Sequence, residues 1–488
     1  MHNLKKKAFI NLMISYFAIF LGMVNTLFRT QIITAEQIGL IAILMSITGI
    51  LIFFVQSGFN AIIIKYVCKL KNRSQKGTFI FLSFISMLCL YLIVILVFIF
   101  FKKNILKYYQ NEMLEKYIMW IIPILLINSL FRQADISLRA FFLANVASFL
   151  KLNLVRILHF GLIIIALTLN LSFEKYFVSY ISILAINLVI LLVYLKVKIT
   201  IRHFDFSFIS LKYFKEILHY GLFMAFGSFV NIITNRVDKL MIGSIVGLSG
   251  AGIYTIAILF GNILGKIGEV VVKIFHPKVS VDLSNRNFSE LEKDYKDIGR
   301  YQLLLGSFLF IFFVFFAGEL LSIFGKNYKS GYWVVVCMAL GQLINNATSI
   351  CGGIISYSKY FKFDFYTKFL LLFLNISMNF ILIPKYGING AVIATAVSLI
   401  MYNLFKVIFV YMKFSIHPWD SYIIKLLFNI LFMTTYFFLI KSNIQDFNLL
   451  GIGLLGFIGF IVHISLLYFT KYFNEKEIDY FKKKVSFK

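Results

Sequence analysis

Arg236, Asp238 and Lys239 stand within four residues of one another in FVNIITNRVDKLMIGSIVG (229–247), a run otherwise dominated by apolar and small side chains. At 100° per residue, Ser228, Asn231, Asn235, Asp238 and Lys239 share an arc of about 100°, with Arg236 at its margin. A second set, Asn262, Lys266, Glu269 and Lys273, recurs at i, i+4, i+7 and i+11 and falls within about 60°. In a third, Asn128, Arg132, Asp135 and Arg139 form one face, with Pro123 upstream as a kink. These faces are polar and carry charges of both signs. They do not assemble a catalytic centre: there is no P-loop, no GxSxG, no HExxH and no acidic external loop to hold a metal and a diphosphate, so no cofactor or metal is expected.

Such faces must be positioned by elements that are themselves apolar. Of the 488 residues, 60% are hydrophobic and 14% charged, and the mean hydropathy is +0.87, which excludes an ordinary soluble enzyme. Runs such as 79–101, 303–316 and 449–469 approach or exceed the roughly 20 apolar residues that cross a bilayer as a helix, and none alternates as a membrane strand would. The expectation is an all-α integral membrane protein of about fourteen transmembrane helices. Lys5, Lys6 and Lys7 precede an apolar run with no cleavage site, so that run reads as the first helix, over 8–28, and not as a signal peptide. The seventh helix is expected as one segment over 217–246 and the eighth over 250–275.

The net charge of +27 follows topology. With the N-terminus inside, the cytoplasmic segments hold 32 Lys and Arg and the external ones ten, which places both termini in the cytoplasm. No polar domain is long enough to bind nucleic acid, so none is expected as a partner. Cys68, Cys89, Cys337 and Cys351 are dispersed and read as packing residues.

A weak internal repeat lays FRTQIITAEQIGLIAIL, around Gly39, on MIGSIVGLSGAGIYTIA, around Gly252. It divides the chain into an N-terminal six-helix lobe (1–196), a cytoplasmic linker (197–216), a C-terminal six-helix lobe (217–410), a terminal helix pair (411–470) and a basic cytoplasmic tail (471–488). Internal symmetry of this kind is common in transporters.

Each charged face has two readings. Charges facing lipid cost about 2.5–3.5 kcal/mol each on insertion scales, so the stripes face protein or water. Arg132, Arg139, Arg156 and Lys273 lie near cytoplasmic ends, where snorkelling to headgroups explains them as well as a lumen does. Asp238 and Glu269 read as carboxylates neutralising neighbouring cations. Lys266, some ten residues from the nearer end of its span, reads as lining a water-filled cavity. His159 and His463 are single residues on apolar helices and read as core.

The segment HYGLFMAFGSFVNIITNRVDKLMIGSIVGLSGAGIYTIA (219–257) resembles the second-half signature of polysaccharide-exporting flippases of the MOP exporter superfamily, the Wzx type. IFHPKVS (274–280), MALGQLINNATSICGGIISYSKY (338–360) and LNISMNFILIPKYGINGAVIATAVS (374–398) follow in the family's order. The resemblance implies two lobes around a central cavity and export by alternating access. The substrate it implies is a polyprenyl-diphosphate-linked glycan, moved to the outer leaflet of the bacterial cytoplasmic membrane. It further implies a cationic cavity for the diphosphate, which Arg236, Lys239, Lys266 and Lys273 would supply here, with Asp238, Glu269, Asn231, Asn235 and Asn262 as supporting groups. Asn128, Arg132, Asp135 and Arg139 would be a face of the N-terminal lobe. Membrane lipids and other polysaccharide-assembly membrane proteins are its implied partners. The same superfamily contains ion-coupled multidrug antiporters and lipid II flippases, which stand as the alternatives. A first helix without Asp or Glu, and the terminal pair, weigh against the antiporter. The external loop over 102–116 is too short for a membrane glycan polymerase.

Overall fold

A computed structural model describes residues 17, 18, 20–56, 58–70, 72–141, 143–199, 204–207, 211–348, 350–443, 449–469 and 472. Among them all regular structure is helical, as a bilayer requires, because only a helix satisfies its own backbone hydrogen bonds without water. The start of the expected first helix, part of the linker at 200–203 and 208–210, and the basic tail apart from Tyr472 lie outside the described residues.

The described chain forms two compact units, Met1–Gly252 and Ile253–Lys488. The first contains α1 (20–32), α2 (Ala35–Gln56), α3 (Phe59–Val67), α4 (Arg73–Tyr109), α5 (Glu112–Tyr117), α6 (Ile121–Ala140), α7 (Ala144–Phe149), α8 (Val155–Thr168), α9 (Phe173–Lys198), α10 (Leu211–Thr234) and α11 (Val237–Ile245). Its centre is α2, which packs on α4, α6, α10 and α11 and is buried on most sides. Gly39, Ala42, Ser46 and Gly49 make this possible, since small side chains let neighbouring backbones approach. The opposite case is α4, where Leu92, Leu96 and Phe100 are exposed as a lipid-facing surface requires.

The helix α12 (Leu248–Ser284) begins in the first unit and runs into the second, which also holds α13 (Phe288–Ser322), α14 (Tyr332–Ala347), α15 (Cys351–Tyr357), α16 (Phe361–Phe414), α17 (Tyr422–Asn443) and α18 (Leu449–Phe469). There α13 packs on α14 and α17, and α14 on α16. Among the described residues, ten helices are long and apolar enough to cross a membrane, or eleven if the bent pair α14–α15 is one span. Where about fourteen segments were expected, those over 365–384 and 387–410 merge in the 54 residues of α16. That length, about 80 Å at 1.5 Å per residue, exceeds twice the hydrocarbon thickness. It is broken at Gly387 (φ 57°, ψ −134°), a backbone conformation open essentially to glycine alone.

Three expected helices are not continuous, the tenth, over 331–356, being divided into α14 and α15. The second breaks at Gly58 (φ 82°), whose absent Cβ would stand 2.1 Å from the Gly221 carbonyl oxygen on α10. The seventh breaks at Asn235–Arg236, so α10 and α11 are separate helices and the stripe from Ser228 to Lys239 does not lie on one helical face.

Candidate functional site

The break at Asn235–Arg236 sets the site of the first unit. Asn235 turns its amide back onto the Asn231 carbonyl (2.7 Å), and Arg236, preceding α11, reaches α2 and donates from Nη1 to the Met45 carbonyl at 2.6 Å. The guanidinium lies directly over Gly49, where a Cβ would be 2.1 Å from its Cζ. Glycine at 49 is thus the seat of Arg236. One turn into α11, Lys239 lies within electrostatic reach of Arg236, Asp238 and Arg29, and Arg236 within reach of Arg132 on α6. Arg29, Arg132, Arg236 and Lys239 are thus linked pairwise, with the buried carboxylate of Asp238 beside Lys239 and that of Asp135 beside Arg132. Arg29 also has a buried Nε with no hydrogen-bond partner among the described residues. Like charges collected in an apolar unit repel one another, so the arrangement gains by admitting an anion, and Arg presents a planar fork suited to phosphate oxygens.

On α6, Arg132 lies within electrostatic reach of both Arg236 and Asp135, and Asp135 is also held by Arg139 (Nε–Oδ1 2.8 Å) and Lys151 (Nζ–Oδ2 3.0 Å), with Arg139 donating to Ser148 Oγ at 3.2 Å. Asn128 donates to the Ile124 carbonyl of its own helix. Arg156 lies over Gly22 of α1 and donates to the Leu152 carbonyl. His159 shares a 2.7 Å hydrogen bond with Tyr176.

In the second unit Lys266 is not a lone cation. Its ammonium meets Glu269 Oε2 at 2.9 Å, and the two side chains are 67% and 45% exposed. Asn262 accepts from Gln342, Gln342 from Asn345, and Asn345 from Asn403, an amide chain linking α12, α14 and α16. Gly265 and Gly268 carry α12 against Gln342 and Asn346. The side chain of Lys273 lies outside the described residues. Thus Arg236, Lys239 and Arg132 come together in the first unit, while Lys266, Glu269 and Asn262 share a helix in the second.

Two charged residues escaped the sequence reading. Arg29 stands near a span's end, where membrane topology alone accounts for a basic residue. Lys406 is 6% exposed, and its ammonium meets Tyr402 Oη at 3.0 Å and Asp364 Oδ1 at 3.8 Å above Gly352. The only signal for it was a cation in an otherwise apolar run.

Residues 4–269 match the family described as polysaccharide biosynthesis protein. A capsular polysaccharide biosynthesis protein of Staphylococcus aureus, CapF, is 24% identical over 186 residues, covering 38% of this chain and 47% of that protein, so the match spans less than half of that relative. An uncharacterised membrane protein of Methanocaldococcus jannaschii is 24% identical over 411 residues, 79% of this chain and 80% of the relative. Among solved structures, the lipid II flippase MurJ in an inward closed conformation superposes with a TM-score of 0.75 at 16% identity, covering 94% of this chain and 99% of MurJ. An inward-facing multidrug resistance MATE family transporter of the MOP superfamily gives 0.64 at 14% identity, over 84% and 98%. At these identities the likeness establishes the fold. It shares its fold with MurJ and the MATE family transporter, and with the family model spanning more than half of its length, the chain belongs to the polysaccharide biosynthesis protein family.

Proposed function

We propose that this protein is a flippase that moves a polyprenyl-diphosphate-linked oligosaccharide from the inner to the outer leaflet of the bacterial cytoplasmic membrane by alternating access. The observation that carries the reading is the cation cluster of the first unit: Lys239 within electrostatic reach of Arg29 and Arg236, and Arg236 of Arg132, four cations beside the two carboxylates Asp238 and Asp135. A diphosphate is a dense anion whose desolvation needs just such compensation. Family membership and the capsular relative favour a glycan as the attached group. The excess of basic residues in alternate loops supports cytoplasmic termini. Lys266 and Lys273 are proposed to act from the second unit through their charge.

Deletion of the gene tests the reading. Lipid-linked glycan units should accumulate on the cytoplasmic face and the surface polymer should disappear. Loss of drug efflux with intact surface glycan would favour the antiporter alternative, and arrested peptidoglycan synthesis the lipid II alternative.

A further inference from the structure

At the end of the second unit where α13 and α17 stop and α14 begins lies a cavity of about 370 Å³ lined by Val314, Gly318, Glu319, Lys329, Tyr332 and Lys441. Lys441 is satisfied: its ammonium meets Glu319 Oε1 at 2.9 Å and donates to the Phe315 carbonyl. The other carboxylate oxygen, Glu319 Oε2, is buried and has no hydrogen-bond partner among the described residues. Such an oxygen is costly unless something donates to it. In the same cavity the stem of Lys329 runs along Gly318, its Cε 3.6 Å from where a Cβ would be, and among the described residues its ammonium has no ion pair.

The backbone reinforces this polarity. Tyr332 is the first residue of α14, which continues a 3-10 helix over Lys326–Gly331, and its hydroxyl is occupied with the Val314 carbonyl (2.8 Å). Glu319 stands in the last turn of α13, whose end carries negative partial charge. A carboxylate there is unfavourable on its own and calls for more than one cation. The free ammonium of Lys329 therefore attracts an anion, and Glu319 Oε2 an ammonium donor.

We propose that the cavity binds a phosphoethanolamine group, with its phosphate on Lys329 at the α14 end and its ammonium on Glu319 Oε2. The site lies where apolar helices end, the depth of lipid headgroups, so a membrane phospholipid and a soluble amine phosphate are the two sources of this chemistry. This site is separate from the cation cluster of the first unit and does not depend on the transport reading.

The test uses the purified full chain in nanodiscs of equal parts phosphatidylethanolamine and phosphatidylglycerol, with lipids retained on release counted by native mass spectrometry. Phosphatidylethanolamine should be retained preferentially. Glu319→Gln and Lys329→Ala should each lower that retention about tenfold, the effect of one charge-assisted hydrogen bond, and Lys329→Arg should restore it. Displacement by added O-phosphoethanolamine would assign the site to the headgroup alone, and resistance to it would assign the site to the intact lipid. Because Glu319→Gln also weakens the Lys441 pair, Lys329→Ala, at an exposed position, keeps the test valid should that variant fail to fold. Equal retention of both lipids by the wild type, or unchanged preference in folded Lys329→Ala, would overturn the proposal.

Discussion

Gly39 and Gly252, the residues that the internal repeat aligns, touch each other reciprocally in the first unit. A Cβ on Gly39 would stand 1.8 Å from the Leu248 carbonyl oxygen, and one on Gly252 would stand 1.8 Å from the Ala35 carbonyl oxygen. Each glycine also faces the other's amide nitrogen, at 3.0 and 3.1 Å from the two Cβ positions. The obstacles are backbone atoms of helices and cannot turn aside. Gly39→Ala and Gly252→Ala are each expected to destabilise the protein by about 3 kcal/mol, the upper end for overpacking. Thermal unfolding of the detergent-solubilised variants, followed by size-exclusion chromatography, measures this, and unchanged midpoints would contradict the contact.

Gly49 gives a contrasting expectation, because its obstacle is the end of a flexible side chain. Gly49→Ala should leave the protein folded but displace Arg236 from the Met45 carbonyl. Surface glycan in a complemented deletion strain should fall about tenfold, the effect of one charged hydrogen bond, while expression on a blot stays normal. Arg236→Lys should lose a similar amount, since a point charge does not reproduce the fork.

Asp135 is expected to act on stability and not on transport directly. Replacing it with Asn frees Arg139 and Lys151, whose side chains are 33% and 44% exposed. Partial exposure limits the cost to about 1–2 kcal/mol, below that of breaking a fully buried pair. A midpoint shift with transport per folded molecule unchanged is the expected result. Transport lost without any shift would place Asp135 in the transport site instead.

The fold class was legible in the sequence because apolar runs of membrane length have few alternatives, and the Gly39–Gly252 repeat was visible for the same reason: its glycines serve a contact that only glycine permits. The breaks were not legible. Asn235–Arg236 carries neither Pro nor Gly, and the helix ends there while Arg236 reaches a carbonyl 191 residues away in the chain. Gly58 was visible as a residue, but what it avoids is Gly221 on another helix. Of the candidate cations, Arg236 and Lys239 could be found from charge in an apolar run. Arg29 could not be told from an ordinary residue at a membrane boundary.

Lys266 is expected to matter through its charge. Lys266→Glu would place a carboxylate one turn from Glu269 on an exposed face, so the protein should fold while transport falls sharply. Lys266→Arg should keep most transport. Glu269→Gln separates the two effects: it removes the pair but keeps the cation, and should be milder than Lys266→Glu in the complementation assay.

The distribution of basic residues is the basis for an expected orientation with cytoplasmic termini. Reporter fusions after Lys107 and after Lys329 should read external, and a cytoplasmic reading at either would revise the topology.

The central claim, that cations of the first unit carry a glycan's diphosphate across the bilayer, is tested most directly in proteoliposomes containing a fluorescent polyprenyl-diphosphate oligosaccharide. A membrane-impermeant glycosidase added outside trims only the outer-leaflet pool unless the lipid is flipped. With the wild-type protein the whole pool should become trimmed, and with Arg236→Glu, reconstituted at equal density, only the outer-leaflet pool. Trimming limited to the outer pool by the wild type, or complete trimming by Arg236→Glu, would contradict the account.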